Sequence, residues 1–352
     1  MQPNAELRAL VDRFPAARIA VIADLVADEY LYGETDRISR EAPVLIVRYE
    51  SSDLKPGCGA NAVANLCALG AKVAPIGLVG DDAVGERLRD LLRQAGADVS
   101  GVLTAPGSAT ATKTRVLAGG KNTRHQQMLR IDRDGPGAPA PALLPRLLRA
   151  LENAAREADV LMVSDYGAGL FSVPVVEAVL ALARAGTTVC ADSRYALAQY
   201  RGVTVAKPNE VELEQLAGRP LGGDLVAVAE AARDLLRSLR VKSLLVTRGR
   251  EGMLLLREGA AAAVLPVHGS PTAVDVTGAG DTVMAANTLA LACGANPVDA
   301  ARLANVAAAL VVQKPGTATV ARAELRDELL RTPVAEAQLL EDSQERARGK
   351  RA

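Results

Sequence analysis

The chain has 352 residues, 49% hydrophobic and 23% charged, with a formal net charge of +0. That length predicts more than one ordinary single-core unit, either a large domain with an accessory piece or two domains. The balanced charge excludes the basic footprint of a nucleic-acid binder or of a protein held on an acidic membrane surface, and the apolar runs are too short to span a bilayer.

The N-terminal stretch MQPNAELRALVDRF is polar and mixed in charge and does not read as a signal peptide. Cys58, Cys67, Cys190 and Cys293 are scattered without a CxxC, which predicts reduced thiols and neither a zinc site nor a disulfide frame. Together these features point to the cytoplasm. His125 and His268 are the only histidines and lack HxxxH spacing, so proton transfer falls to a carboxylate.

Residues 1–17 read as an N-terminal extension. RIAVIA, residues 18–23, is a compact β run ending at Asp24; residues 43–49 predict a second strand, 60–69 a helix, 72–80 a strand and 82–95 a helix ending at Gly96. Shorter alternating runs occupy 112–118 and 125–132, and DGPGAPAPALLP breaks the pattern. A regular alternation follows: helix 142–157, strand DVLMVSD, helix 173–185, strand TTVCADS, strand VTVAK, helix 209–217, helix 224–239, strand SLLVTRG, two hairpin-like strands, then helices 279–293 and 297–312. Strands alternating with helices of this length imply βαβ units and a mainly parallel sheet covered on both faces. The segments about 30–55 and 108–132 break that rhythm and predict a small β lid. The main domain thus runs over 18–332, and the tail from about 333 is charged and expected to be helical or frayed.

Two glycine-rich stretches carry chemistry. PGCGANAVANLCALG, residues 56–70, holds a G-x-G-x-x-A pattern at Gly57, Gly59 and Ala62, with Asp81 about 20 residues on, so a dinucleotide-binding reading is open. That fingerprint requires a strand running into its first glycine; here SSDLKP intervenes, and Pro56 cannot donate to a ladder. The blander reading is a tight turn into a packed helix, with Asn61 within reach of a bound hydroxyl. DVTGAGDTV, residues 275–283, is the stronger signal. Thr277 can cap the coming helix, and Gly278-Ala279-Gly280 bares backbone N–H groups at a helix N-terminus, where donors and dipole both favour an anion. A phosphoryl group in transfer fits such a turn, and Asp281 beside it can take the proton of an attacking hydroxyl. No GxxxxGK[ST] occurs, which excludes a P-loop.

These two stretches resemble the signatures of the ribokinase, or PfkB, family of carbohydrate kinases, and the resemblance runs over about 18–330. It implies a ribokinase-like three-layer α/β/α fold with a mainly parallel sheet and a β lid, together with ATP and Mg²⁺. KPNEVE is similar to the family's Asn-x-x-Glu element, here Asn209 and Glu212, which organises Mg²⁺ through water and the phosphates. VTRGREG is similar to the nucleotide-lining strand and turn, with Thr247, Gly249 and Gly252; Asp28 stands where the family keeps an aspartate for sugar hydroxyls, and a monovalent cation such as K⁺ would sit near Asp275. DEYLYGETDRISREAPVLIV, TATKTRVLAGGKNTRHQQMLRIDRD and QKPGTATV resemble the D-glycero-β-D-manno-heptose 7-phosphate kinases, some of which carry a fused nucleotidyltransferase half for which this chain has no room. That subgroup phosphorylates the anomeric hydroxyl, supplying ADP-heptose for lipopolysaccharide. Departures are Cys58 for a glycine, Gly59 for an alanine, Ala23 for a glycine, and ADSRY, with Asp192 and Arg194, for Asp-Pro-Lys-Gly. Lys113 and Arg115, two apart on one strand face, with Arg37 and Arg130 in neighbouring lid segments, are expected to hold a sugar phosphate. Paired lid edges predict a homodimer. The rival readings are another sugar or nucleoside kinase of this fold, a non-catalytic nucleotide- or sugar-binding module, and an NAD-dependent dehydrogenase.

Overall fold

The computed structural model describes residues 4–120 and 125–340. The chain opens with α1 (Ala5–Arg13), then runs through β1 (Arg18–Ala23), β2 (Leu25–Ile38), β3 (Leu45–Cys58), α2 (Gly59–Ala68), β4 (Lys72–Gly80), α3 (Ala83–Gln94) and β5 (Val102–Ala105). Next come β6 (Thr112–Gly119), β7 (Gln126–Arg133), α4 (Leu144–Glu157), β8 (Val160–Asp165), α5 (Val173–Arg184), β9 (Val189–Ser193), β10 (Val205–Ala206), α6 (Glu210–Ala217) and α7 (Leu225–Leu239). The last part holds β11 (Ser243–Thr247), β12 (Met253–Arg257), β13 (Ala262–Leu265), α8 (Ala279–Ala292), α9 (Pro297–Val311), α10 (Arg322–Arg331) and β14 (Gln338–Leu340).

Among the described residues the main sheet has ten strands, in the order β14-β13-β12-β11-β10-β9-β8-β1-β4-β5. From β5 to β11 every neighbouring pair is parallel, and β12, β13 and β14 add an antiparallel flank. β1 lies inside the sheet, and all but its first residue are buried. Its alternate side chains serve two different cores, as the period-2 geometry of a strand requires: Ile19, Val21 and Ala23 join the cluster with α1, α2, α8 and α9, whereas Ala20 and Ile22 join the cluster with α4, α5 and α7. Burial on both faces explains why β1 reads as an unbroken apolar run.

A second, four-stranded sheet in the order β3-β2-β6-β7 forms the lid. β2 and β3 pair antiparallel from Leu25↔Cys58 to Ile38↔Leu45, and β6 lies parallel to β2 and antiparallel to β7. The strand expected over 43–49 is therefore much longer, and β2 begins one residue after β1. Pro56 sits inside β3, opposite Ala27. β3 is an edge strand, where a missing donor leaves no partner unsatisfied, so a strand does run into Gly57. It is a lid strand, not the first strand of a dinucleotide-binding βαβ unit.

The expected helix boundaries hold to within a residue or two, with α1, β5, α10 and β14 as additions. Gln338–Leu340 adds a strand to the edge of the main sheet where a helical or frayed tail was expected; residues 341–352 and 121–124 lie outside the described residues. Residues ahead of β1 are packed into the body: Leu7, Val11 and Phe14 are buried, and Asn4 donates to the carbonyls of Leu329 and Thr332 and accepts from Val334 N–H. Among the described residues no helix is long and apolar enough to cross a membrane.

This docking predicts that Phe14→Ala lowers the unfolding free energy by about 3–5 kcal/mol, the cost of emptying a buried aromatic site. Asn4→Ala, which strands three backbone groups, costs about 1–3 kcal/mol. Urea unfolding of the two variants checks both; wild-type midpoints would mean that the N-terminal helix adds nothing to the fold.

Candidate active site

Asp281 is 2% exposed although it carries a carboxylate. It lies in the first turn of α8, whose N-cap is Gly278 at φ 78° with no side-chain cap. Thr277 therefore does not cap the helix; its N–H donates instead to Asp275 Oδ1 at 2.9 Å. Ala279 N–H returns to Val276 O and Thr282 N–H to Gly278 O, which leaves the amides of Gly280 and Asp281 as the helix's spare donors. Tyr166 donates its hydroxyl to Asp281 Oδ1 at 2.7 Å, and Asn61 Nδ2 donates to Oδ2 at 2.9 Å. Burial pushes the Asp281 carboxyl up to about 7, and the two donors oppose that rise.

The residues around this acid come from six parts of the chain. Tyr166 follows β8 and is fixed by Asp24, whose carboxylate accepts the N–H groups of Tyr166, Ala168 and Leu170 at 2.8–3.3 Å. Burial lifts Asp24 to about 6 against those hydrogen bonds. Lys207, after β10, pairs with Asp192, near the end of β9, at 2.9 Å. Burial disfavours the Lys207 charge, and Asp192, with Glu212 and Asp281 further off, more than offsets it. A Cβ at Gly280 would stand 3.6 Å from Lys207 Nζ, so this ammonium lies against the turn.

Asp28 is buried in β2 and pairs with Arg115 of β6 at 2.7 Å. A Cβ at Gly57 would lie 2.5 Å from Asp28 Cγ, so that glycine is required by close approach. Lys113 Nζ lies 2.8 Å from Cys58 Sγ and 5.4 Å from the Tyr166 ring centre. Cys58 holds φ 49° and ψ −127°, a conformation that side chains other than glycine rarely adopt, so the glycine-to-cysteine departure there carries backbone strain. Burial lifts its thiol to about 12 despite Lys113, which leaves it a protonated, unreactive group.

These groups line a cleft of about 640 Å³. It is bounded by Asp28, Lys113, Arg115 and Arg130 on the lid side and by Lys207, Asn209, Glu212, Thr277, Gly278, Gly280 and Asp281 on the sheet side, with Arg194 also on its wall. An apolar hollow of about 250 Å³ adjoins it, shares Val276 and Gly280 with it, and is lined by Thr247, Gly249, Gly252 and Ala279. A larger hollow, about 740 Å³, opens at the opposite ends of β1 and β4 and contains none of the predicted site residues. The acid and the turn, not the volume, mark this cleft as the candidate active site.

Some expected contacts fall elsewhere. Asn61 and Gly57 do not line the cleft; they stand behind Asp281 and Asp28. Arg37 lies exposed near the far end of β2, away from the cleft. Arg130 reaches the cleft wall but forks onto Asp132 at 2.6 and 2.8 Å. Asn209 and Glu212 form a capping box on α6, each side chain accepting from the other's N–H at 2.8–2.9 Å, and burial raises the Glu212 carboxyl. Asp275 accepts from Thr277 N–H and Gly316 N–H, both at 2.9 Å, which together hold its carboxyl below the usual range against burial. Among the described residues no group of three or more His, Cys, Asp and Glu is placed to hold a metal. Tyr166 and Lys207 were missed as site residues. Each follows the C-terminal end of a parallel strand, where α/β sheets place their ligands, and that position was the available signal.

The profile of the pfkB family carbohydrate kinases matches residues 18–324. The curated protein named bifunctional protein HldE from Halorhodospira halophila is 42% identical over 89% of this chain and 63% of its own length. The HldE of Desulfatibacillum aliphaticivorans is 37% identical over 92% of this chain and 65% of its own length. The chain thus spans a little under two thirds of these relatives. Two solved structures share the fold. Ribokinase of Arabidopsis thaliana has a TM-score of 0.71 at 22% identity over 90% of this chain and 99% of its own. Escherichia coli phosphofructokinase-2 has 0.72 at 21%, over 90% and 100%. The chain belongs to the pfkB family of carbohydrate kinases, phosphotransferases that act on an alcohol group.

Proposed function

We propose that the chain transfers the γ-phosphoryl group of ATP to the anomeric hydroxyl of D-glycero-β-D-manno-heptose 7-phosphate. The observation that carries the reading is the buried Asp281 carboxylate beside a helix N-terminus and Lys207, opposite a lid that brings cations to the same cleft. The lid sequences and the likeness to the HldE proteins support this choice of acceptor. The fused second activity of such proteins is no part of the proposal.

In this reading the apolar hollow takes the nucleoside, with Thr247, Gly249 and Gly252 along it, and the phosphates extend past Gly280. Asp28 orients the sugar through its hydroxyls. Asp281 takes the hydroxyl proton as that oxygen bonds to the γ-phosphorus and the bond to the leaving ADP oxygen breaks. The Gly280 and Asp281 amides and Lys207 oppose the charge that spreads over the transferring group. Asn61 and Tyr166 hold the carboxylate in line for that proton. Glu212 and Asn209 face the phosphate side of the cleft, and the single carboxylate suits a Mg²⁺ held chiefly by phosphate oxygens and water; bound there, Mg²⁺ would neutralise phosphate charge. Asp275 and its loop are the place for a monovalent cation; Escherichia coli phosphofructokinase-2 has been solved in complex with potassium. The four free cysteines suit a reducing, cytoplasmic setting.

Asp281→Asn should lower kcat by about 10²-fold or more. Wild-type kcat/KM should fall as pH drops through about 7, where Asp281 takes up a proton. The stability trend has the opposite sense. A folded-state value near 7 lies above the unfolded value of about 4, so the contribution is fully present below about pH 4 and lost as pH rises through about 7. Asp281→Asn should therefore be more stable than wild type at pH 8, on the order of 1–3 kcal/mol. Near-normal kcat together with an unchanged pH profile would refute the base assignment.

Arg115 is largely offset by Asp28, whereas Lys113 has no carboxylate in ion-pair range among the described residues. Lys113→Ala should thus raise KM for the heptose phosphate on the order of tenfold, the scale of one charge-assisted contact, and leave KM for ATP nearly unchanged. The comparison to run is phosphorylated against unphosphorylated heptose. Equal kcat/KM for the two would move the assignment to a free-sugar kinase.

The lid also supports self-association. In β7, Leu129 and Ile131 alternate with Arg130 and so lie on the face away from the cleft, exposed at 56% and 52%. Ile38, Leu45 and Tyr49 add further exposed apolar area on the same sheet, more than scattered surface residues require. We assign this face to a second copy of the chain. Sedimentation velocity should give a dimer that Leu129→Asp with Ile131→Asp converts to monomer; a monomeric wild type would overturn the assignment.

A further inference from the structure

Tyr30 is 5% exposed and does not line the cleft, yet it joins the two walls of it. It lies in β2 two residues after Asp28, and its ring centre is 5.4 Å from the Arg115 guanidinium that pairs with Asp28. Its hydroxyl accepts the N–H of Thr317 at 3.1 Å and stands 3.2 Å from Thr317 Oγ1, which can take its proton. A Cβ at Gly316 would come within 3.1 Å of the same hydroxyl. Gly316 N–H donates to Asp275 Oδ2, and Asp275 Oδ1 accepts from Thr277 N–H, both at 2.9 Å. The next residue is Gly278, where the phosphoryl-facing turn begins.

Lid strand and turn are therefore connected by three hydrogen-bonded steps with no covalent route shorter than most of the chain. We propose that Tyr30 is a positioning residue that transmits the placement of the acceptor-holding strand to the Gly278–Gly280 turn through Thr317, Gly316 and Asp275. This rests on the reading above that the sugar binds at Asp28. The connection is directional in chemistry. The Tyr30 hydroxyl is the acceptor for a buried backbone N–H, so without it Thr317 N–H has no partner and the loop must shift to find one. Gly316 would move with it, taking one of the two donors from Asp275, whose remaining bond to Thr277 sets the entry to α8.

The test is Tyr30→Phe, which keeps the ring under Arg115 and removes only the hydroxyl, with Tyr32→Phe as control. In the ligand-free protein, amide hydrogen exchange over 275–281 should quicken on the order of tenfold in Tyr30→Phe, the scale of one lost hydrogen bond, and stay at the wild-type rate in Tyr32→Phe. With heptose 7-phosphate and ATP, kcat should fall on the order of tenfold while both KM values stay within about twofold. Unchanged exchange over 275–281, an equal change in both variants, or a loss confined to acceptor KM would each overturn the role. The exchange comparison needs no substrate, so it decides on Tyr30 even if the heptose phosphate proves to be the wrong acceptor.

Discussion

The active site is organised around the cost of keeping one carboxylate out of water. Asp281 is held by two neutral donors and has no ion-pair partner among the described residues, so its charge is stabilised only in part. Both donors come from elsewhere in the chain. Asn61 belongs to α2, which begins where lid strand β3 ends, and it is itself held by Asn65, which Thr282 of α8 contacts in turn. Tyr166 belongs to the loop that Asp24 fixes at the point where β1 hands the chain to the lid. Any displacement of lid, loop or helix is felt at Asp281, and the incomplete compensation keeps its proton affinity near neutrality, which suits the general-base role proposed for it.

Charge in the rest of the cleft is arranged on a different rule. Arg115 with Asp28, Lys207 with Asp192 and Arg130 with Asp132 are pairs in which a carboxylate fixes a cation. Such pairs add little net stability, whether buried or exposed, but they hold long side chains in one place around the anionic ligands proposed for the cleft. Lys113 and Arg194 lack such partners among the described residues, so they supply positive charge that no carboxylate cancels.

The sequence made the parallel core legible because β1, β8 and β9 are buried on both faces and read as short apolar runs separated by amphipathic helices. The DVTGAGDTV turn was legible for a similar reason: small residues and an acid at a helix entry have few other uses. The lid was not. β3 is exposed over most of its length and carries Ser, Asp, Lys and Pro, so no hydrophobic alternation marks it, and only pairing with β2 makes it a strand. Pro56 misled because the sequence does not say which strand is an edge. Tyr166, Lys207 and Tyr30 were hidden because their roles depend on partners 115, 15 and 287 residues away or on strand order, which local pattern does not encode. Arg37 shows the converse error: an arginine in the right segment but beyond the end of the cleft.

The lid is assembled from two separated pieces, β2–β3 and β6–β7, with α2, β4, α3 and β5 between them. During synthesis the first hairpin emerges with Val44, Leu45, Ile46 and Tyr49 uncovered, and the β2 edge must wait for β6 to arrive before its ladder is complete. An isolated two-stranded ribbon is marginal in water, and an unpaired apolar edge is a template for the wrong chain. Parallel pairing across such a separation is also slow. The hazard for this protein in a cell is therefore concentrated early in translation, in a nascent half-lid that chaperones would have to shield until β6 pairs with the β2 edge.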